Sequence, residues 1–185
     1  MLSSIPNSLT CLRILIIPVL VFVYYFPLGH WGMPLAAVLF GLASLTDWLD
    51  GYLARRLNQV SKLGAFLDPI ADKLIVITVL VVIVNTHGQL NILIPALVII
   101  AREIVVSGLR EWMSELGRRE SVTVSVMGKL KTAVQMIALF MMLYYYPAFG
   151  IPVFETGVWL LYLAASLTLW SMMIYIFRAI KSNVD

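Results

Sequence analysis

The stretch DWLDGYLARRLNQVSKLGAFLDPIAD, residues 47 to 72, places four carboxylates inside two otherwise apolar runs. They are Asp47, Asp50, Asp68 and Asp72. A carboxylate inside a membrane-embedded segment costs several kcal/mol unless a partner compensates it, so such residues are candidates for function. Because four like charges lie close together along the chain, a pair of divalent cations is the compensation that we expect.

The spacing of these carboxylates predicts a shared metal site. If two antiparallel helices are joined by a short loop at residues 59–60, the first pair lies ~12 to 16 Å from the end of its helix and the second pair ~10 to 16 Å into its own. Asp47 and Asp50 are spaced i, i+3 and Asp68 and Asp72 are spaced i, i+4, so each pair shares one helix face. Two such faces form a cage of oxygen ligands, which suits Mg²⁺ or Mn²⁺ better than metals that favour Cys or His.

Small residues beside the carboxylates open space for a ligand. Gly51 follows Asp50 directly, at a position where a Gly inside a helix costs ~1 kcal/mol relative to Ala. Together with Ala54 and Gly64, it would let a ligand approach the backbone closely. Arg55, one turn after Gly51, is placed to meet an anion.

The same residues carry a resemblance to a known family. The pattern D-x2-D-G-x2-A-R-x8-G-x3-D-x3-D, residues 47 to 72, resembles the complete signature of the CDP-alcohol phosphotransferase family. The resemblance implies a membrane enzyme of six helices, usually a homodimer, that binds a CDP-linked lipid with two divalent metals, Mg²⁺ or Mn²⁺. An acceptor hydroxyl then displaces CMP. It also implies that Asp47, Asp50 and Asp68 bind metal and that Asp72 both binds metal and acts as the catalytic base.

The family pattern further implies contacts to the CDP-diacylglycerol substrate near the signature and at the amino end. The residues concerned are Asn7, Thr10, Arg13, Gly51, Ala54, Arg55, Ser61 and Gly64. On the sequence alone, Asn7 and Thr10 could equally be helix caps.

Composition places the chain in a membrane. Of its 185 residues, 61% are hydrophobic and 12% are charged, and the mean hydropathy is +0.94, which excludes a soluble globular domain. The opening residues MLSSIPNSLT lack the basic region and the cleavage site of a signal peptide, so we expect the first apolar run to be retained. The single cysteine, Cys11, excludes an internal disulfide framework and a cysteine metal site.

Six apolar runs follow a more polar start. Residues 2 to 9 predict a short amphipathic segment at the membrane interface. The runs are Cys11 to Leu28, Trp31 to Asn58, Ser61 to Asn85, Asn91 to Leu116, Val122 to Tyr146 and Phe154 to Ile180. Several of them exceed the ~20 residues needed to cross a bilayer, so we expect tilt or projection into the cytosol. The predicted fold class is therefore all-α integral membrane, with six transmembrane helices in a single domain, residues 1–185.

The basic residues predict the orientation of these helices. All thirteen Lys and Arg lie near the two ends of the chain, near the loop between the second and third runs, or near the loop between the fourth and fifth. By the positive-inside rule, the termini and the carboxylates face the cytoplasm, as in a bacterial inner membrane. A pI of about 9.1 would suit nucleic-acid binding in a soluble protein, but topology explains the basic residues here, so we expect no nucleic-acid partner.

A second group of charges is predicted at the depth of the carboxylates. Arg110 lies ~10 Å from the end of the fourth run, and Lys129 and Lys131 lie ~10 and ~14 Å into the fifth. Arg binds phosphate bidentately and Lys binds it as a point charge, so these three residues favour the phosphate of an anionic acceptor. Snorkelling to lipid headgroups is the alternative. For the deeper Arg102, a phosphate contact competes with pairing to a carboxylate.

Three further segments resemble one branch of the same family. They are PNSLTCLR (6–13), AREIVVSGLREWMSELG (101–117) and VMGKLKTAVQM (126–136). In that branch the acceptor is sn-glycerol 3-phosphate, so the resemblance implies transfer of the phosphatidyl group from CDP-diacylglycerol to glycerol 3-phosphate. A sister enzyme that uses inositol phosphate or phosphatidylglycerol is the nearest alternative.

A divalent-cation transporter is an alternative from a different class, because carboxylates in membrane helices also mark ion pathways. Such a pathway would need acidic residues on both sides of the membrane midplane. Only Glu155 of the ten acidic residues is expected on the far side, which disfavours a transporter.

Overall fold

The computed structural model describes residues 5–57, 62–115 and 126–184, and these residues are almost entirely helical. They form α1 Ile5–Tyr25, α2 Gly32–Leu57, α3 Lys62–His87, α4 Leu90–Glu115, α5 Val126–Tyr144 and α6 Val153–Val184, with a 3₁₀ turn at Gly29–Trp31. Each apolar run of the sequence forms one of these helices, which confirms the all-α class. Within these described ranges, two stretches, Leu90–Leu109 and Val153–Met173, are long and apolar enough to cross a membrane by length and composition.

The amino end differs from the sequence prediction. Of the predicted interfacial segment at residues 2 to 9, residues 2–4 lie outside the described ranges, and residues 5–9 continue without a break into the apolar part of α1. Pro6 is compatible with this start, because a proline in the first turn of a helix removes no hydrogen bond. Asn7 and Thr10 therefore lie inside α1, and the helix-cap interpretation is wrong for both.

The helices are held together by buried faces with helical spacing. On α5 and α6, residues separated by three, four, seven and eight positions fall on one face of each helix. The buried residues are Lys131, Gln135, Ala138, Leu139, Met142 and Leu143 on α5, and Gly157, Leu161, Ala164, Ala165 and Thr168 on α6. The two helices pack against each other, and α6 also packs against α4.

The helices alternate in direction, which sorts their ends into two groups. α1 packs against α2 and α3, and both α2 and α3 pack against α5. The amino ends of α1, α3 and α5 lie together with the carboxyl ends of α2, α4 and α6. We call this the charged end, because Arg13, Asp68, Asp72, Glu103 and Lys131 lie in that half of the bundle.

Aromatic side chains collect at the opposite end, which we call the aromatic end. The ring of His87 lies 4.3 Å from that of Phe154 and 5.5 Å from that of Tyr145, measured between centroids. A pocket of about 450 Å³ lies beside them, at the start of α4 and α6. It is lined by Gln89, Asn91, Phe154, Glu155, Val158, Trp159 and Tyr162. This pocket lies at the end of the bundle opposite to Asp68 and Asp72, so it is not the site that the sequence predicts.

Candidate active site

Helix α1 holds two of the predicted carboxylates on α3. The hydroxyl of Thr10 donates a hydrogen bond to Oδ1 of Asp68 at 2.5 Å. Nη1 of Arg13 donates to Oδ1 of Asp72, also at 2.5 Å, and forms an ion pair with it. Each carboxylate is therefore oriented by a polar side chain of a neighbouring helix.

The register of the two helices makes both contacts possible at once. α1 and α3 both begin at the charged end, so they run in the same direction. The step from Thr10 to Arg13 advances ~4.5 Å along α1, and the step from Asp68 to Asp72 advances ~6 Å along α3. A parallel pair of helices thus brings a hydroxyl and a guanidinium level with two successive carboxylates.

The two side chains of the ion pair between Arg13 and Asp72 differ sharply in solvent exposure. The Arg13 side chain is 1% exposed, whereas that of Asp72 is 46% exposed. A buried cation without a counter-charge is strongly destabilising, and Asp72 supplies that charge. About half of the Asp72 side chain thus lies at the surface of the protein, although its partner is buried.

The family resemblance predicts Thr10 and Arg13 near the nucleotide, and the structure adds that they contact the carboxylates directly. Sequence reasoning missed these two contacts. The only signal was a Thr and an Arg three residues apart on the same face of an otherwise apolar helix. Because 58 residues separate Thr10 from Asp68, nothing local indicates the pairing.

Other residues of the predicted site lie partly outside the described portion of the protein. For some of them the structure describes a helical backbone but not the side chain: Asn7, Asp47, Asp50, Gly51, Ala54, Arg55, Arg110 and Lys129. Ser61 lies outside the described ranges altogether, and Gly64 is buried one turn before Asp68. Among the described residues no group of three or more His, Cys, Asp or Glu could hold a metal ion. The four-carboxylate cage thus stays a prediction.

A second charged group, the Glu103 cluster, consists of Arg102, Glu103 and Lys131. Oε1 of Glu103 accepts hydrogen bonds from Nη1 of Arg102 at 2.8 Å and from Nζ of Lys131 at 2.9 Å. Lys131 is 2% exposed, so it does not snorkel to the surface. Arg102 pairs with a carboxylate, which is one of the two roles that the sequence predicts for it; the other is a phosphate contact. Their contacts to an acceptor phosphate stay predictions.

The described carboxylates fit a divalent cation of the Mg²⁺ type. Asp68 and Asp72 offer oxygen donors alone, and each is oriented by a hydrogen bond from another side chain, as metal-binding carboxylates usually are. With Asp47 and Asp50 they would complete the predicted ligand set.

Comparison with known proteins identifies the same family as the signature at residues 47 to 72. The family model of the CDP-alcohol phosphatidyltransferases matches residues 3–170, which include the whole stretch from Asp47 to Asp72. The chain belongs to the CDP-alcohol phosphatidyltransferase family. The contacts from α1 to Asp68 and Asp72 therefore lie at the signature of a CDP-alcohol phosphatidyltransferase.

Full-length relatives within this family share about half of their residues with the chain. A protein of Pseudomonas fluorescens is 51% identical over 174 residues, covering 94% of this chain and 88% of its own length. Proteins of Salmonella choleraesuis (strain SC-B67) and Escherichia coli (strain K12) are each 46% identical over 182 residues, covering 98% of both chains. All three are named CDP-diacylglycerol–glycerol-3-phosphate 3-phosphatidyltransferase.

Proposed function

We propose that this protein transfers the phosphatidyl group of CDP-diacylglycerol to sn-glycerol 3-phosphate, giving phosphatidylglycerophosphate and CMP. The observation that carries the proposal is the name of this reaction on relatives that are 46–51% identical over nearly the full chain. The Asp68 and Asp72 side chains, oriented by α1 at the charged end, support a phosphoryl-transfer site.

The chemistry is an in-line displacement at the phosphorus that carries diacylglycerol. A hydroxyl oxygen of glycerol 3-phosphate forms a bond to this phosphorus, and the bond from the phosphorus to the oxygen of CMP breaks. Asp72 accepts the proton of the attacking hydroxyl. Divalent cations, which members of this family generally use, would neutralise the diphosphate when bound by Asp47, Asp50, Asp68 and Asp72.

The other residues of the site bind the two substrates. In this proposal Arg110, Lys129, Lys131 and Arg102 bind the phosphate of the acceptor, since cations of this kind recognise phosphate. The residues that contact CDP-diacylglycerol are Asn7, Thr10, Arg13, Gly51, Ala54, Arg55, Ser61 and Gly64. Thr10 and Arg13 also fix the orientation of Asp68 and Asp72, so they link nucleotide binding to the catalytic carboxylates.

We place all six helices across a bacterial inner membrane, with the termini and the charged end in the cytoplasm. α1 and α5 carry shorter apolar stretches, Thr10–Tyr25 and Leu130–Tyr144, which begin beside the charged residues of the site. Large apolar side chains also remain exposed on several helices, as contact with lipid requires; examples are Leu15, Phe22, Ile94, Leu97 and Trp170. Membrane lipids thus surround the protein, and the homodimer that the family resemblance implies belongs to the same proposal.

Release of CMP by the purified protein tests this function. The protein in mixed micelles is incubated with CDP-diacylglycerol, Mg²⁺ and one acceptor at a time: glycerol 3-phosphate, inositol phosphate, phosphatidylglycerol or serine. We expect CMP and a new phospholipid with glycerol 3-phosphate, and loss of both when a chelator removes the metal. CMP release with another acceptor alone would indicate a sister enzyme. Mg²⁺ flux into vesicles without any CMP release would indicate a transporter.

A further inference from the structure

The Glu103 cluster connects two helices at the charged end. α4 and α5 both pack against α6, and Glu103 reaches from α4 to Lys131 on α5. A single carboxylate oxygen accepts hydrogen bonds from both cations, so Nη1 of Arg102 and Nζ of Lys131 lie no more than about 6 Å apart. Without the carboxylate, two like charges at this separation would repel each other, the more strongly because Lys131 is buried and Arg102 is largely covered.

The cluster keeps donors beyond those that Glu103 engages. A guanidinium carries five N–H donors, and Nε of Arg102 is buried without a hydrogen-bond partner in the described part of the chain. Buried polar atoms are nearly always hydrogen-bonded, so orphaned ones need an explanation. A bound polar ligand would provide one.

Arg102 and Lys131 each carry a positive charge and donate to the same oxygen of Glu103. A phosphate group has enough oxygens to accept further hydrogen bonds from both cations at once. Glu103 cannot bind the anion itself. It can hold Arg102 and Lys131 close enough together for one phosphate to reach both.

We propose that Glu103 is a positioning residue that holds Arg102 and Lys131 together for the phosphate of the acceptor. The inference rests on the proposed function, which assigns these two cations to that phosphate. Glu103 acts through these two cations, so its loss weakens binding of the acceptor and leaves binding of the nucleotide-linked lipid unchanged. A carboxylate that only neutralises buried charge would instead affect folding, and one that competes with the phosphate would weaken acceptor binding rather than strengthen it.

The test is steady-state kinetics of Glu103→Gln and Glu103→Asp, with each substrate varied while the other is saturating. We expect Glu103→Gln to raise KM for glycerol 3-phosphate about tenfold or more, because charged hydrogen bonds to the phosphate are lost. KM for CDP-diacylglycerol should stay within about twofold. Glu103→Asp keeps the charge on a shorter side chain, so it should recover part of the acceptor affinity. The matched control is Glu111→Gln, an identical change at an exposed position of α4, which should alter neither KM.

A double variant shows whether Glu103 acts through Lys131. In a Lys131→Gln background, Glu103→Gln should raise the acceptor KM far less than it does alone. Equal changes in both KM values, full additivity with Lys131→Gln, or a lower acceptor KM would each overturn the inference. If Glu103→Gln does not fold, as a thermal melt would reveal, Glu103→Asp decides: an unchanged acceptor KM would refute positioning.

The wild-type protein separates this inference from the proposed function. Should it use a different phosphorylated acceptor, the proposed function fails, and the same comparison of KM values is made with that acceptor. Should it use only acceptors without phosphate, both fail.

Discussion

Thr10 and Arg13 show how two polar residues on an apolar helix can orient carboxylates on another helix. The hydroxyl of Thr10 holds Asp68, and Arg13, almost completely buried, holds Asp72. Partners that orient metal-binding side chains are typically worth a factor of 10 to 100 in metal affinity or activity. The effect of removing them can therefore be separated from the effect of removing a ligand.

We predict that Thr10→Val raises the Mg²⁺ concentration needed for half-maximal activity by about 10- to 100-fold. Valine keeps the shape of threonine but cannot donate the hydrogen bond to Asp68. Thr10→Ser, which keeps the hydroxyl, should remain close to the wild type. The measurement is initial rate across a Mg²⁺ titration at saturating substrates. Identical metal dependence in the valine and serine variants would show that the contact does not orient Asp68.

The proposed role of Asp72 as the catalytic base gives a second prediction for a single residue. Asp72→Asn keeps one oxygen for a metal and for Arg13, but it cannot accept a proton at neutral pH. The single-turnover rate should fall by about 10²- to 10⁴-fold, while affinity for CDP-diacylglycerol changes little. Asp68→Asn should by contrast weaken metal-dependent binding of this substrate as well.

Both variants are to be compared across a Mg²⁺ titration, with a thermal melt to confirm that they fold. Restoration of wild-type turnover in Asp72→Asn by excess Mg²⁺ would mean that Asp72 is only a ligand. The base would then have to be another residue.

At the scale of helices, the close approach of α5 and α6 depends on Gly157. A Cβ atom at this position would lie 2.7 Å from Cγ of Met142 and 3.1 Å from two backbone atoms, O of Ala138 and N of Met142. The methionine side chain can move aside, but the backbone of α5 cannot. Small residues that let backbones approach are typical of helix contacts in membranes.

Gly157→Ala should therefore destabilise the protein, by ~1–3 kcal/mol for a forced shift in a packed interior. Gly108→Ala is the matched control, since a Cβ at Gly108 meets no atom within 4 Å. Alanine has the higher helix propensity, so this control should leave Tm unchanged or raise it. Thermal unfolding in the same detergent compares the two variants. If both melt at the same temperature, α5 and α6 are not as close as the structure has them.

The helices themselves could be predicted from the sequence, but their contacts could not. Each apolar run forms a helix, which is the structure expected of a long apolar segment because a helix satisfies its own backbone hydrogen bonds. Pro69 and Pro95 lie inside α3 and α4 without ending them. The bond from Thr10 to Asp68 and the bridge from Glu103 to Lys131 depend on how helices dock. Sequence spacing within one helix carries no information on this.

At the scale of the whole molecule, the two ends of the bundle differ in chemistry. The charged end holds the residues of the proposed site, and the aromatic end holds rings such as His87, Tyr145 and Phe154. Basic residues favour the cytoplasmic side of a membrane, and aromatic residues favour the interfaces. The distribution of charge therefore predicts which end faces the cytoplasm, where a soluble phosphorylated acceptor is available.

Cysteine labelling in bacterial membranes tests this orientation. Cys11 is the only cysteine, so Cys11→Ser provides a background without thiols once its activity has been verified. Gln89→Cys and Glu111→Cys then place single thiols at exposed positions near opposite ends of α4. Because the charged end is predicted to be cytoplasmic, a membrane-impermeant maleimide should label Gln89→Cys in intact spheroplasts and Glu111→Cys only in inside-out vesicles. The reverse pattern would place the site outside the cytoplasm, and labelling of both positions from one side would mean that α4 does not cross the membrane.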